Sequence, residues 1–300
     1  MLDALPAGAV LLVTAGLLVR SRIGTVRQSL GTLAKLALAA GVPMVLILLQ
    51  PDLKSAIVLP PMVFAMLYVS KLSTRFFAGA LAAFLLLVGI VSWDLARYVN
   101  YMETNGLRIS KENQGKYEPH SWLPYVHDYQ RNRVLTFLNP EKYDKTGIGW
   151  NQEQSLISVG SGGLFGKGFG EGTQSHLSFL PERQTDFIFT MLAEELGMVG
   201  ALGLLALYVI VLIYGYSIAF RCRHQFGRLV AMGLTTGFFL YFFINIAMVM
   251  GLLPVVGVTL PFISYGGTSL LTLMLCVGLL MNIHVHRDVH MGVRGGFNDF

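Results

Sequence analysis

The chain is 300 residues long, 54% hydrophobic and only 13% charged, a balance that excludes an ordinary soluble globular domain and predicts an all-α polytopic membrane protein. A formal net charge of +5 does not signal nucleic acid, because the basic residues flank apolar runs instead of gathering on a solvated face. Cys222 lies among basic residues and Cys276 inside an apolar run, so no disulfide framework is implied.

Apolar runs near residues 4–19, 30–49, 56–70, 76–93, 187–216, 229–253 and 268–285 predict seven spans. The first is short, and the residues before it lack the basic start and small-residue cleavage site of a signal peptide, so it reads as a retained helix. Arg20, Arg22 and Arg27, then Lys71 and Arg75, then Arg221, Arg223 and Arg228, and finally Arg287 and Arg294 all fall on one side. The positive-inside rule makes that side the cytoplasm, with the N-terminus outside and the C-terminus inside. The chain thus divides into four spans in 1–93, one long external segment in 94–186, and three spans with a cytoplasmic tail in 187–300. Pro60-Pro61 removes two backbone donors from the third span, and a kink or break is expected there.

In the external segment, 94–124 is polar and turn-rich and carries no motif. Val126, Tyr129, Val134, Phe137 and Leu138 then recur at helical spacing with Arg131 and Arg133 among them, which predicts a short amphipathic helix on the outer membrane face, ending at Asn139-Pro140. The glycine-rich run from Gly160 to Gly172 invites a P-loop reading through Gly166-Lys167. The pattern fails, because its first glycine falls on Ser161, Gly168 stands where a magnesium-binding hydroxyl belongs, and no strand precedes it. Such a loop can still present backbone N–H groups to a phosphate, with Lys167 as a point charge; a re-entrant loop with glycines for tight turns is the alternative.

Pro181 suits the first turn of a fifth spanning helix and Glu182 its positive end. Asp186 would then lie one turn deeper on the same face. Two carboxylates so placed raise each other's proton affinity while Arg183 opposes the effect, making Asp186 a plausible general base; an aspartate that merely caps the interface is the plainer alternative. Glu194 and Glu195 are intramembrane carboxylates about 100° apart on that helix, for which hydrogen-bonded packing is as good an account as function. His284, His286 and His290 lie in a basic tail, and no metal site is predicted from them.

Several stretches resemble the SEDS family (shape, elongation, division and sporulation) of polytopic membrane enzymes, on its RodA side. They are Val159-Gly160-Ser161-Gly162-Gly163, Gly166-Lys167-Gly168, Gly172-Thr173-Gln174-Ser175, Phe179-Leu180-Pro181-Glu182, Thr185-Asp186-Phe187-Ile188-Phe189, Ala193-Glu194-Glu195-Leu196-Gly197, Leu253-Pro254-Val255-Val256-Gly257-Val258 and Ser264-Tyr265-Gly266-Gly267, all in family order. Asp128-Tyr129-Gln130-Arg131-Asn132-Arg133-Val134 also looks like its family counterpart, while 94–124 looks longer than the usual loop. The resemblance implies a polymerase of lipid II in the bacterial cytoplasmic membrane, serving cell shape or division, with a class B penicillin-binding protein as partner. It makes Asp186 the catalytic base and places Asp52, Gly162, Gly163, Lys167, Glu182, Arg183, Thr185 and Ser264 at the substrate. Lys167 and Arg183, or a bound divalent cation, would offset charge on the leaving pyrophosphate.

Two departures stand beside this. The family's Gly-Thr after the aspartate equivalent to Asp52 is Lys54-Ser55 here, and its Pro-Ser-Glu is Pro6-Ala7-Gly8. The helix parity matches the last seven helices of the ten-helix SEDS fold, so a truncated, split or mis-started chain, weakly active or inactive alone, is expected, with a naturally shortened paralogue as the alternative. A non-catalytic scaffold binding lipid II or a penicillin-binding protein is the second reading, and a lipid flippase the third.

Overall fold

A computed structural model describes residues 4–20, 26–49, 53–70, 72, 74–107, 113, 115–121, 126–139, 148–173 and 184–287. Its described residues form helices and no strand: α1 (Ala4–Arg20), α2 (Val26–Leu49), α3 (Leu53–Val69), α4 (Thr74–Thr104), α5 (Asp128–Leu138), α6 (Ile148–Ser161), α7 (Ile188–Arg221), α8 (Gln225–Val249) and α9 (Gly267–Val285), with a 3-10 turn at Glu118–His120. Among them α4, α7, α8 and α9 are long and apolar enough to cross a bilayer; α1, α2 and α3 carry shorter apolar stretches. The chain is a multi-pass helical membrane protein, and each predicted span corresponds to one helix.

The hub is α8. It packs on α1, α3, α6, α7 and α9, and 61% of its most apolar window is buried. One core joins Leu11, Ala15 and Leu18 of α1 and Val58, Met62 and Met66 of α3 to Leu229, Val230 and Leu234 of α8. A second joins Phe189 and Tyr208 of α7 to Phe242, Met248 and Val249 of α8, with the Tyr208 and Phe242 rings stacked at 4.9 Å. Small residues allow the close approach. A Cβ at Gly233 would meet Leu11 at 2.7 Å, one at Gly237 would meet Met62 at 2.9 Å, and one at Gly215 of α7 would meet Thr235 at 2.5 Å. Lipid is as apolar as the side chains, so such packing, more than water exclusion, holds spanning helices together.

Three expectations need correction. The fourth helix does not end at residue 93 but continues to Thr104. At 1.5 Å per residue its 31 residues reach about 46 Å, well beyond a hydrocarbon core of about 30 Å. Its upper end is held by polar burial: Arg131 Nε donates to Asp94 Oδ2 at 2.9 Å and Arg131 Nη1 to Asp128 Oδ1 at 3.0 Å, and Tyr98 Oη donates to Asn132 Oδ1 at 2.7 Å. The helix after it lies where expected, yet its buried face is the polar one, carrying Asp128, Gln130, Arg131, Asn132 and Thr136 with Leu135. An amphipathic period says which residues share a face; here paired charges, not apolar groups, decide which face is covered. Finally, α3 runs on through Pro60 and Pro61, carried across by Val58, Met62 and Met66 against α8. The break falls instead in α7, at Gly197.

Candidate functional site

Asp186 is half-buried in the turn Gln184–Phe187, directly before α7. The expected helix start at Pro181 lies outside the described residues; Gln184–Phe187 form a turn, not helix, and α7 begins at Ile188. The cause is competition for carbonyls. Tyr265 N–H donates to Gln184 O at 2.9 Å, Ser264 Oγ to Thr185 O at 2.6 Å, and Asn245 Nδ2 to Asp186 O at 2.8 Å. These distant donors take the oxygens that an α-helix would have used for its own i+4 N–H groups. Helical bonding begins with the carbonyl of Phe187, which Thr190 N–H reaches at 3.0 Å.

The turn is gripped by the segment that follows α8. Ser264 Oγ also accepts from Leu260 N–H at 2.7 Å, Tyr208 Oη donates to Pro261 O at 2.6 Å, and Asn245, wholly buried, gives its amide to Val258 O as well. Gly257 faces the carboxylate: a Cβ there would lie 3.3 Å from Asp186 Oδ2. Its φ of +83° is a second reason for glycine. Ser264, Thr185 and Asp186 are thus brought together, Ser264 and Thr185 through backbone positioning.

The glycine-rich loop does something the sequence reading did not foresee. At Gly197, with φ 67° and ψ −165°, α7 is interrupted, and residues 162–168 insert there. Lys167 N–H and Gly168 N–H donate to Glu194 O and Glu195 O at 3.0 and 3.1 Å, while Met198 N–H and Val199 N–H donate to Gly163 O and Leu164 O at 2.9 and 3.1 Å. Four of the groups freed by the break are met in this way, as membrane depth favours. Gly162 is needed for contact, since a Cβ would fall 2.1 Å from Ala193 O. Lys167 Nζ pairs with Glu194 Oε1 at 2.6 Å, the same oxygen accepts from Thr173 Oγ1 at 2.9 Å, and Glu194 Oε2 accepts from Ser158 Oγ at 2.9 Å. Lys167 is therefore engaged by a fully buried carboxylate, and the packing account of Glu194 is the one the geometry favours.

Asp52, Glu182 and Arg183 lie outside the described residues. Beside the gripping segment a mostly apolar cavity of about 560 Å³ opens between α3, α7, α8 and α9; Thr259, Pro261 and Tyr265 line it, together with Lys54 and Gly8. Among the described residues no three His, Cys, Asp or Glu side chains converge as a metal cluster would. Sequence reasoning missed Asn245 and the reach of Arg133. The first was detectable as an amide in the middle of an apolar helix; the second was read only as an interfacial charge.

A half-buried carboxylate on a turn clamped to a bundle of apolar helices, near a mostly apolar cavity, belongs to a multi-pass membrane protein. The sequence model of the cell cycle protein family of FtsW, RodA and SpoVE matches residues 8–289, and the chain belongs to that family. It is 44% identical over 247 residues to the peptidoglycan glycosyltransferase MrdB of Escherichia coli (strain K12), covering 82% of this chain and 58% of that protein. It is 43% identical over 159 residues to the peptidoglycan glycosyltransferase RodA of Treponema pallidum, covering 53% and 36%. The chain spans less than two thirds of the length of these curated relatives. Among solved structures it is similar to a chain from a study of how a peptidoglycan synthase complex coordinates polymerization and crosslinking, with a TM-score of 0.60 and 27% identity over 96% of this chain and 82% of that one. A variant of the rod shape determining protein RodA of Thermus thermophilus gives 0.57 and 26% over 96% and 66%.

Proposed function

We propose that this chain carries the catalytic portion of a glycan polymerase that joins lipid II units at the outer face of the bacterial cytoplasmic membrane. The observation that carries the reading is Asp186: a half-buried carboxylate on a turn whose carbonyls are fixed by three separate donors, near a mostly apolar cavity of about 560 Å³. In this reading Asp186 removes the proton of the acceptor's sugar hydroxyl, the oxygen attacks the anomeric carbon of the donor, and the lipid pyrophosphate departs. The rigid turn supports it, because a base must be held within hydrogen-bond reach of the proton it takes.

Charge on the departing pyrophosphate is assigned to Arg183, to Lys54 at the cavity, or to a divalent cation shared with the substrate. Lys167 is the weaker candidate, given its ion pair with Glu194. The partner is a class B penicillin-binding protein that crosslinks the new strand. The segment between α4 and α7 is external and the C-terminus cytoplasmic, as the basic connections imply.

The test is gel analysis of labelled lipid II products made by the purified chain, alone and with a co-expressed three-helix segment from a related polymerase. Asp186→Asn is expected to abolish product while eluting like the parent, since the amide is nearly isosteric but takes no proton at neutral pH. Product within a few-fold of the parent would remove Asp186 as the base. A second reading, a non-catalytic scaffold for lipid II or its synthase partner, is favoured by Gly8. It lines the cavity where the family resemblance places a glutamate, and product from neither preparation would support it.

A further inference from the structure

The amphipathic helix α5 reaches the catalytic turn without touching it. Arg133 Nη1 donates to two successive carbonyls of the segment after α8, Val255 O at 3.2 Å and Val256 O at 3.0 Å. The guanidinium lies 5.7 Å from the centroid of the Tyr129 ring, which limits its swing. The next residue is Gly257, where a Cβ would lie 3.3 Å from Asp186 Oδ2. One residue further, Val258 O accepts from Asn245 Nδ2, the amide that also holds Asp186 O. Residues 255–258 are therefore pinned by Arg133 and by Asn245, and the carboxylate faces the open side of Gly257 between the two pins.

We infer that Arg133 is a positioning residue for Asp186, acting through the Val255–Val258 backbone. The inference rests on Asp186 as the base, although its central claim concerns the carboxylate's surroundings and is measurable without turnover. Arg133 is also tied to a larger frame, since its neighbour Arg131 is fixed by Asp94 of α4 and by Asp128. Two fixed points on one short helix leave the pin little freedom, and a charge-assisted donor to backbone oxygens is among the stronger hydrogen bonds a protein makes. Removing it leaves Gly257 in a φ of +83° with one anchor fewer, and residues 255–258 are free to drift from the carboxylate.

The experiment is carbodiimide labelling of Asp186 in the purified full chain, read by mass spectrometry, with lipid II polymerisation measured in parallel. Arg133→Ala is expected to raise the labelling rate several-fold and to lower turnover about tenfold or more, the scale on which small misplacements act. Arg133→Lys, which keeps one charged donor, should restore a good part of both. Gly257→Ala should perturb Asp186 by the same route, so the double substitution should fall short of the summed single effects. Arg223→Ala, at the other membrane face, is the control. Where the alanine variant does not elute like the parent, Arg133→Gln replaces it. Unchanged labelling, or full additivity with Gly257→Ala, overturns the proposal. If instead labelling changes as expected while Asp186→Asn leaves polymerisation intact, the positioning role stands and the assignment of the base is what fails.

Discussion

A buried charge in a membrane bundle is costly unless its partner is held in place, as Lys167 is beside Glu194. Its two oxygens are met by one ammonium and two hydroxyls, from Lys167, Thr173 and Ser158. Lys167→Met would take the ammonium from a carboxylate at 0% exposure, a loss of roughly 3–5 kcal/mol for breaking a buried pair from one side. Lys167→Met combined with Glu194→Gln should be milder than Lys167→Met alone. Thermal unfolding in detergent checks this, and a double variant less stable than the single one would show that the pair is not the anchor. The sequence made Lys167 and Glu194 visible as separate oddities, one in a glycine run and one inside a span. It could not pair them, because the pairing depends on a break in α7 that no local signal announced. Asp186 stood out in the sequence because its motif did, whereas Asn245 and Arg133 act on backbone oxygens, which are alike at every residue.

At the scale of elements, a broken helix was expected at proline and occurs at glycine. Pro60 and Pro61 leave the carbonyls of Ala56 and Ile57 without their helical donors, a defect that packing on both sides of α3 tolerates. Gly197 instead holds a backbone conformation close to glycine-only, and the inserted loop supplies the missing partners. A Cβ at Gly197 would lie 2.2 Å from Gly166 N. Gly197→Ala is therefore expected to expel residues 162–168 from the break, seen as faster amide exchange at Lys167, Gly168, Met198 and Val199. Gly203→Ala, with open space at its Cβ, should leave exchange as it was. If both variants behaved alike, insertion would not depend on the conformation at Gly197. The start of α7 was misplaced for a related reason: Pro181 and Glu182 are good local signals, but three donors far along the chain claim the carbonyls of residues 184–186.

For the whole molecule, the number and order of spans were readable from apolar runs, since length in a bilayer is a strong constraint. Which helix sits at the centre was not, because a helix apolar all round reads the same whether protein or lipid surrounds it. The orientation proposed from the charge pattern has a direct test: in a background with Cys222 and Cys276 replaced by serine an impermeant thiol reagent should label Asn105→Cys but not Arg223→Cys in intact spheroplasts. The reverse labelling would invert the topology. The central place of α8 also bears on how the protein is made. Helices α1 and α3 face it through Leu11, Met62 and Met66, yet α8 begins at Gln225, far beyond the end of α3 at Val69. At ordinary rates of synthesis the ribosome needs roughly 10–30 s to cover that interval. Through that time the first spans wait in the bilayer with their best-packed surfaces against lipid, a nascent bundle whose keystone is still inside the ribosome.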